Sequence, residues 1–275
     1  MRGLFADIAE TKECTESVVA RVVYEIWRTC GLFTCFCCER PVCTLCDTCA
    51  ALPLYSAPHC ALCEKFSIKG TTHAECTPKV PYFTHSIAFF EYTKVIKKLF
   101  AVYKYKQAFQ YQQVIEDFAG DYIKIDPFLL VKTVFSSIDA LNVVLFPIPM
   151  TTKKQEDRGF SPAYELSVIV GRALQAKYGC CVKICAGVVK KVGDVTSQAR
   201  KDRRQRLLSL QKEYQVIESA VDEFTRQPID LFVVVDDVVT TGATTTAVIE
   251  AIAKHNMLAE KLQKIPIVRF SFARA

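Results

Sequence analysis

The stretch from Phe232 to Thr244, Phe-Val-Val-Val-Asp-Asp-Val-Val-Thr-Thr-Gly-Ala-Thr, constrains this chain more than any other. Its four opening residues, Phe232 to Val235, show no alternation of polar and apolar side chains. They predict a strand buried on both faces, as in a parallel sheet covered by helices. Two carboxylates, Asp236 and Asp237, stand where the apolar run ends, and a turn of small residues leads into a helix predicted over Thr244 to Lys254. Such a turn aims backbone N–H groups outward at a helix N-terminus, where the dipole favours an anion. Thr240, Thr241, Gly242, Ala243 and Thr244 supply those groups, Gly242 lets the chain approach closely, and the threonine hydroxyls add donors. The Gly-x-x-x-x-Gly-Lys run of a Walker loop is absent. Carboxylates beside a bound phosphate repel it, so their presence implies something between them that carries hydroxyls or a cation, such as a ribose diol or Mg²⁺. The plainer reading of the same residues is a buried strand followed by a capped helix.

With 275 residues, half of them apolar, the chain has material for one large domain with a full core and a smaller one beside it. No uninterrupted apolar run approaches the roughly 20 residues of a membrane span. The N-terminus, with Asp7, Glu10 and Glu13, does not read as a secretory signal. The expectation is a cytoplasmic protein with no membrane insertion. A net charge of +6 is compatible with a nucleic-acid partner or with phosphorylated small molecules and requires neither.

Fourteen cysteines are many for such a chain, and nine of them crowd between Cys35 and Cys76. Cys35-x-x-Cys38, Cys46-x-x-Cys49, Cys60-x-x-Cys63 and His73-x-x-Cys76 form four knuckles. Each presents two soft ligands at the spacing that fills half a tetrahedral Zn²⁺ shell. Gly70 is the only glycine there and large apolar residues are few, so structural zinc, not burial, would supply the folding free energy. Cys43-x-x-Cys46 is also a legal knuckle, which leaves the pairing open and the count at one or two zincs. A redox role is the rival reading; repeated pairs favour structure.

The remaining segments divide the chain into an N-terminal helical extension (1–34), a Cys-rich zinc-ribbon-like module (35–80) and a main domain (81–275). In the first, Ser17 to Trp27 carries Val18, Val19, Val22, Val23, Ile26 and Trp27 on one helical face. Tyr82 to Tyr92 reads as a strand or hairpin. A helix follows with Lys94, Lys97, Lys98, Lys104 and Lys106 among aromatic residues, a pattern of rings inward and lysines outward that could also track single-stranded nucleic acid. Gln107 to Ile125 and Pro127 to Ser137 read as further helices. Leu141 to Phe146 predicts a second buried strand, running into Pro147-Ile148-Pro149 and a loop with the cations Lys153, Lys154 and Arg158, a sensible meeting place for pyrophosphate at a strand's carboxyl end. Pro162 opens a helix to about Lys177, and Cys180 to Val189 reads as another strand. Beyond Thr196-Ser197-Gln198 comes the cluster Arg200, Lys201, Arg203, Arg204 and Arg206. It suits a loop over phosphates, a nucleic-acid backbone contact or a solvated surface.

Strand, two acids, two variable residues, Thr-Thr-Gly-x-Thr and helix together resemble the PRPP signature of type I phosphoribosyltransferases. Together with the knuckles, the Pro-x-Pro strand end, Arg158-Gly159-Phe160 and the Thr-x-Ser-Gln segment, the chain from Cys35 onward resembles the ComF family. Those proteins join a double zinc ribbon to a phosphoribosyltransferase-like domain and are associated with natural competence. The resemblance implies an open, mostly parallel α/β sheet flanked by helices. It also implies that Asp236 and Asp237 hold the ribose hydroxyls of PRPP, with Mg²⁺, while Thr240 to Thr244 hold its 5-phosphate. Two places depart from the family: serines at 161 and 209 stand where it usually has asparagine.

Two functions follow from the resemblance. One is transfer of phosphoribose to an acceptor that the sequence does not identify. The other is non-enzymatic handling of single-stranded DNA beside a helicase-like competence partner, with the PRPP site a sensor or a relic. A third, regulatory reading has PRPP binding shift conformation without chemistry.

Overall fold

The computed structural model describes residues 5–7, 60, 67, 73–74, 83–94, 96–97, 100–101, 140–193 and 213–275. The predicted helices at Ser17–Trp27, Gln107–Ile125 and Pro127–Ser137 and the basic cluster from Arg200 to Arg206 lie outside them, as do Ser209 and six of the eight proposed zinc ligands.

In chain order the elements are β1 (Phe5–Asp7), β2 (Phe83–Glu91), β3 (Asn142–Pro147), α1 (Thr152–Arg158), α2 (Pro162–Tyr178), β4 (Cys181–Cys185), β5 (Val189–Lys191), β6 (Tyr214–Val216), α3 (Glu218–Arg226), β7 (Leu231–Val239), α4 (Ala243–Ala253), α5 (Asn256–Leu262) and β8 (Ile267–Arg274). The main sheet has the order β1-β4-β3-β7-β8-β2. Its five strands from β4 to β2 are mutually parallel, and β1 joins β4 antiparallel at one edge. This is the open, mostly parallel α/β sheet that the apolar runs predict.

Period-2 alternation along the buried strands divides the core in two. Val143, Leu145, Val233, Val235, Val268, Phe270 and Phe272 face α2, whose Leu166, Ile169, Val170 and Leu174 cover them. Val144, Phe146, Phe232, Val234 and Ile267 face the opposite layer, built by α3, α4 and α5 through Phe224, Val248, Ile252 and Leu258. Each strand buries both faces, which is why the sequence reads as continuous apolar runs. Beyond α2 the first layer ends in rings: Phe89 meets Phe270 edge-on at 4.5 Å between centroids, and Phe100 meets Phe272 at 5.0 Å. Phe100 belongs to a helical segment after β2, in which residues 94, 96, 97, 100 and 101 are helical.

The start of the two central strands is tied by polar contacts. Asn142 donates to Asp230 Oδ2 through both its backbone N–H and its Nδ2, each at 2.8 Å. Asp230 N–H returns a bond of 2.9 Å to Asn142 O. This clasp fixes the register in which Val143 opposes Leu231 and Pro147 opposes Val235.

Three sequence expectations change in detail. The strand predicted at Phe232–Val235 continues through both acids to Val239, because β8 runs alongside it to the end, with Asp236 opposite Ser271 and Val239 opposite Arg274. The segment with Lys153, Lys154 and Arg158 is the helix α1, not a loop; it buries no residue, so no apolar face announces it. Cys180 to Val189 is two strands: β4 in the main sheet and β5, which pairs antiparallel with β6 in a separate ribbon. Of the two readings of Tyr82 to Tyr92, strand or hairpin, the structure shows the single strand, over Phe83–Glu91. In addition Phe5–Asp7, within the stretch read as a helical extension, forms the edge strand β1.

Candidate functional site

The chain leaves β3 for β4 on one side, and leaves β7 for β8 on the other. A crevice therefore opens beyond the carboxyl ends of β3 and β7, the position where open α/β sheets bind ligands. The sequence's two best candidates meet here. Pro147, Ile148 and Pro149 end β3, and Asp236 and Asp237 extend β7 just past it, with Ile148 N–H donating to Val235 O at 2.9 Å across the mouth. β3 tolerates Pro147 because β4 has already dropped out of the ladder at Leu145, so the missing N–H breaks no bond on that side.

Beyond Val235, β7 keeps one ladder neighbour, β8, and among the described residues no strand pairs with it on the β3 side. Both acids are half-buried there. Their carboxylates turn back onto the chain: Asp236 Oδ1 accepts from Asp237 N at 2.9 Å, and Asp237 Oδ1 accepts from Val238 N at 2.6 Å. One oxygen of each is thus engaged in holding the strand end. Two adjacent carboxylates are a hard-oxygen donor set, suited to sugar hydroxyls or to a Mg²⁺ that keeps most of its waters.

Thr240 and Thr241 are exposed, and Gly242 turns the chain with φ 66° and ψ 6°, the left-handed conformation that a side chain resists. Gly242 is the N-cap of α4 and brings no side chain of its own to cap the helix. Gly242 O accepts from Thr246 N at 3.0 Å to close the first turn, and Thr241 Oγ1 accepts from Ala243 N at 3.4 Å. The uncapped amino end of an eleven-residue helix is an anion-binding feature. Within its first turn Thr244 is half-buried, and Thr245 Oγ1 is buried without a hydrogen-bond partner among the described residues. Thr245 lies one residue beyond the segment read from sequence; the run of three threonines from Thr244 to Thr246 is the signal that could have included it.

Lys153 and Lys154 are exposed on α1, and Arg158 at its end is half-buried. They stand on a helix that starts five residues after Pro147, the last residue of β3. Ser161, where the family resemblance expects asparagine, is the N-cap of α2, its Oγ accepting from Tyr164 N at 3.4 Å, with Pro162 in the first turn. Serine and asparagine are both strong N-caps, so the exchange preserves this role.

Of the proposed zinc ligands, Cys60 is fully buried and His73 half-buried; Cys35, Cys38, Cys46, Cys49, Cys63 and Cys76 lie outside the described residues. Among the described residues no cluster of three or more His, Cys, Asp or Glu side chains is placed to hold a metal, and no helix is long and apolar enough to cross a membrane. Comparison of the chain with protein-family models, curated proteins and solved structures gave no match.

Proposed function

We propose that this protein binds PRPP with Mg²⁺ across the β3–β7 crevice and is a phosphoribosyltransferase-type protein of the ComF kind, with a structural zinc module before residue 81. The observation that carries the reading is the succession at one strand end: two carboxylates on an open-sided strand, then a left-handed glycine, then an uncapped helix. Each part suits a different portion of one ligand. The α4 amino end takes a phosphate, the acid pair takes ribose hydroxyls or a metal, and the cations of α1 suit a pyrophosphate.

In such a transfer the acceptor forms a bond to the ribose C1 while the C1–O bond to pyrophosphate breaks, the electron pair leaving with pyrophosphate. Positive charge grows on the sugar on the way, as it does at a glycosidic centre. Asp236 and Asp237 hold the ring and favour that charge, and Lys153, Lys154 and Arg158 favour the departing anion. Bound with the substrate, Mg²⁺ would supply further neutralisation of the pyrophosphate oxygens.

Calorimetry with Mg–PRPP on metal-analysed protein, alongside pyrophosphate release across a panel of nucleobases, tests the proposal. Asp236→Asn and Asp237→Asn are each expected to weaken binding by about tenfold or more, the worth of a charged hydrogen bond. Binding unchanged in both variants, or absent from the wild type, would overturn it and turn attention to single-stranded DNA. Binding without release for any base would retain the site and remove the transfer.

A further inference from the structure

The buried face of α4 carries Val248, Ile249 and Ile252, none more than 1% exposed, which pack into the α3–α4–α5 layer. Thr245 stands three, four and seven residues before them, on the same stripe of the helix, and is itself wholly buried. An apolar side chain would suit that place, yet the chain puts a hydroxyl there. Ser167, the wholly buried serine of α2, shows how a helix ordinarily satisfies such a group: its Oγ donates to Ala163 O, four residues back, at 2.8 Å. Thr245 is denied that solution. Four residues before it is Thr241, which precedes the N-cap, and the left-handed turn at Gly242 takes the chain out of the helix there. Thr245 Oγ1 has no hydrogen-bond partner among the described residues. A hydroxyl buried in this way disfavours the arrangement until an acceptor reaches it.

We propose that Thr245 is a further binding residue of the crevice, its hydroxyl donating to an oxygen of the phosphate seated at the amino end of α4. The proposal rests on the reading that this helix end takes a phosphate, and adds to it a donor beyond the Thr240–Thr244 segment. Helical side chains lean toward the amino end of their helix, so Thr245 Oγ1 lies over the first turn of α4, whose N–H groups have no acceptor within the helix. The group that stands closest to that turn from outside it is exposed: Thr241, whose Oγ1 accepts from Ala243 N at 3.4 Å. So long a bond is readily exchanged for a shorter, charge-assisted one to a phosphate oxygen. The same phosphate would then satisfy Ala243 N–H and the Thr245 hydroxyl together. The hydroxyl thus weakens the protein without ligand and strengthens the complex, two effects of opposite sign.

The test uses the full-length protein, with differential scanning calorimetry in the absence of ligand and titration calorimetry with ribose 5-phosphate and with Mg–PRPP. Thr245→Val keeps the shape and removes the hydroxyl. It is expected to raise Tm without ligand by about 2 °C or more and to weaken both ligands about tenfold. Thr245→Ser restores the hydroxyl and is expected to recover most of the affinity. A hydroxyl with a structural role alone would lower Tm when removed and leave binding in place. A lower Tm in T245V, an affinity equal to wild type, or a T245S variant as weak as T245V would each overturn the proposal. Should T245V fail to fold, Thr245→Ala serves as the hydroxyl-free variant for the binding comparison, and equal affinity in T245A and T245S would count against the proposal in the same way. Wild-type binding that survives loss of the hydroxyl refutes the role of Thr245 and leaves the phosphate reading standing. A wild type that binds ribose 5-phosphate but not Mg–PRPP ends the PRPP reading, and Thr245 is then judged on ribose 5-phosphate by the same criteria. A wild type that binds neither ends the phosphate reading and this proposal with it.

Discussion

Two glycines with nearly the same backbone, one at the crevice and one far along the chain from it, offer a controlled perturbation. Gly242 caps α4 with φ 66°, and Gly179 terminates α2 with φ 64°. A Cβ added at Gly179 would meet nothing within 4 Å, so alanine there is penalised by conformation alone. The left-handed region costs an L-residue about 1–2 kcal/mol. Against this, alanine stiffens the unfolded chain and returns about 0.4–1 kcal/mol. The net loss is about 1 kcal/mol, which in a chain of this size lowers Tm by about 2–4 °C. Gly179→Ala and Gly242→Ala are therefore both expected to lower Tm by about that amount in differential scanning calorimetry. They part in ligand binding: at Gly242 the side chain also stands where a phosphate would approach the helix end. G242A is expected to weaken Mg–PRPP at least tenfold, and G179A to leave it unchanged. Equal affinities in the two variants would refute the placement of phosphate at α4, and an undiminished Tm in G179A would refute the strain argument itself.

Two further predictions concern stability. Asp230→Ala removes an acceptor of two bonds from Asn142 and is expected to cost about 1–3 kcal/mol in urea unfolding; a loss under about 0.5 kcal/mol would show that the clasp contributes little. Burial pushes the Cys185 thiol up to about 12 from an ordinary 9.0. The folded state then holds a proton that the unfolded state releases, so the associated stability is intact below pH 9 and falls as pH rises from 9 toward 12. Cys185→Ala is expected to flatten that alkaline decline, and an identical pH dependence in both proteins would refute the assignment.

The parts of the fold legible from sequence are those where one physical signal dominates. Val233 to Val235 and Val143 to Phe146 are apolar without alternation, and both are central strands. Pro162 and Gly179 bracket α2 as proline at the first turn and glycine past the end should. The end of β7 was hidden because polarity changes at Asp236 while hydrogen bonding does not; pairing with β8 carries the strand two residues beyond the acids. α1 was hidden because solvent surrounds it, leaving propensity alone to betray it. The break between β4 and β5 was marked by Gly187, which the apolar residues around it obscured. In α3 the spacing of Ala220, Val221 and Phe224 is a signal of a buried helical stripe that the sequence analysis does not use. At the site, the acids, Thr240 to Thr244 and the proline-rich strand end were all legible and meet at one crevice. Arg269, the wholly buried cation of β8, was not singled out, although a lone charge inside Ile265 to Ala273 is a sequence signal in its own right.

The open-sided end of β7 also decides where the molecule tolerates redesign. From Asp236 onward the strand is laddered to β8 and, among the described residues, to no strand on the β3 side. Insertions after Pro149 would reshape one wall of the crevice and leave every ladder bond beneath the acids intact, as surface connections generally allow. A single-residue insertion in β8 before Ser271 would act in the opposite way. Slipping the β7–β8 register by one would move Ser271 off Asp236 and set a phenylalanine, Phe270 or Phe272, opposite the carboxylate. One wall of the site can be rebuilt freely, and the other is fixed by the hydrogen-bond ladder.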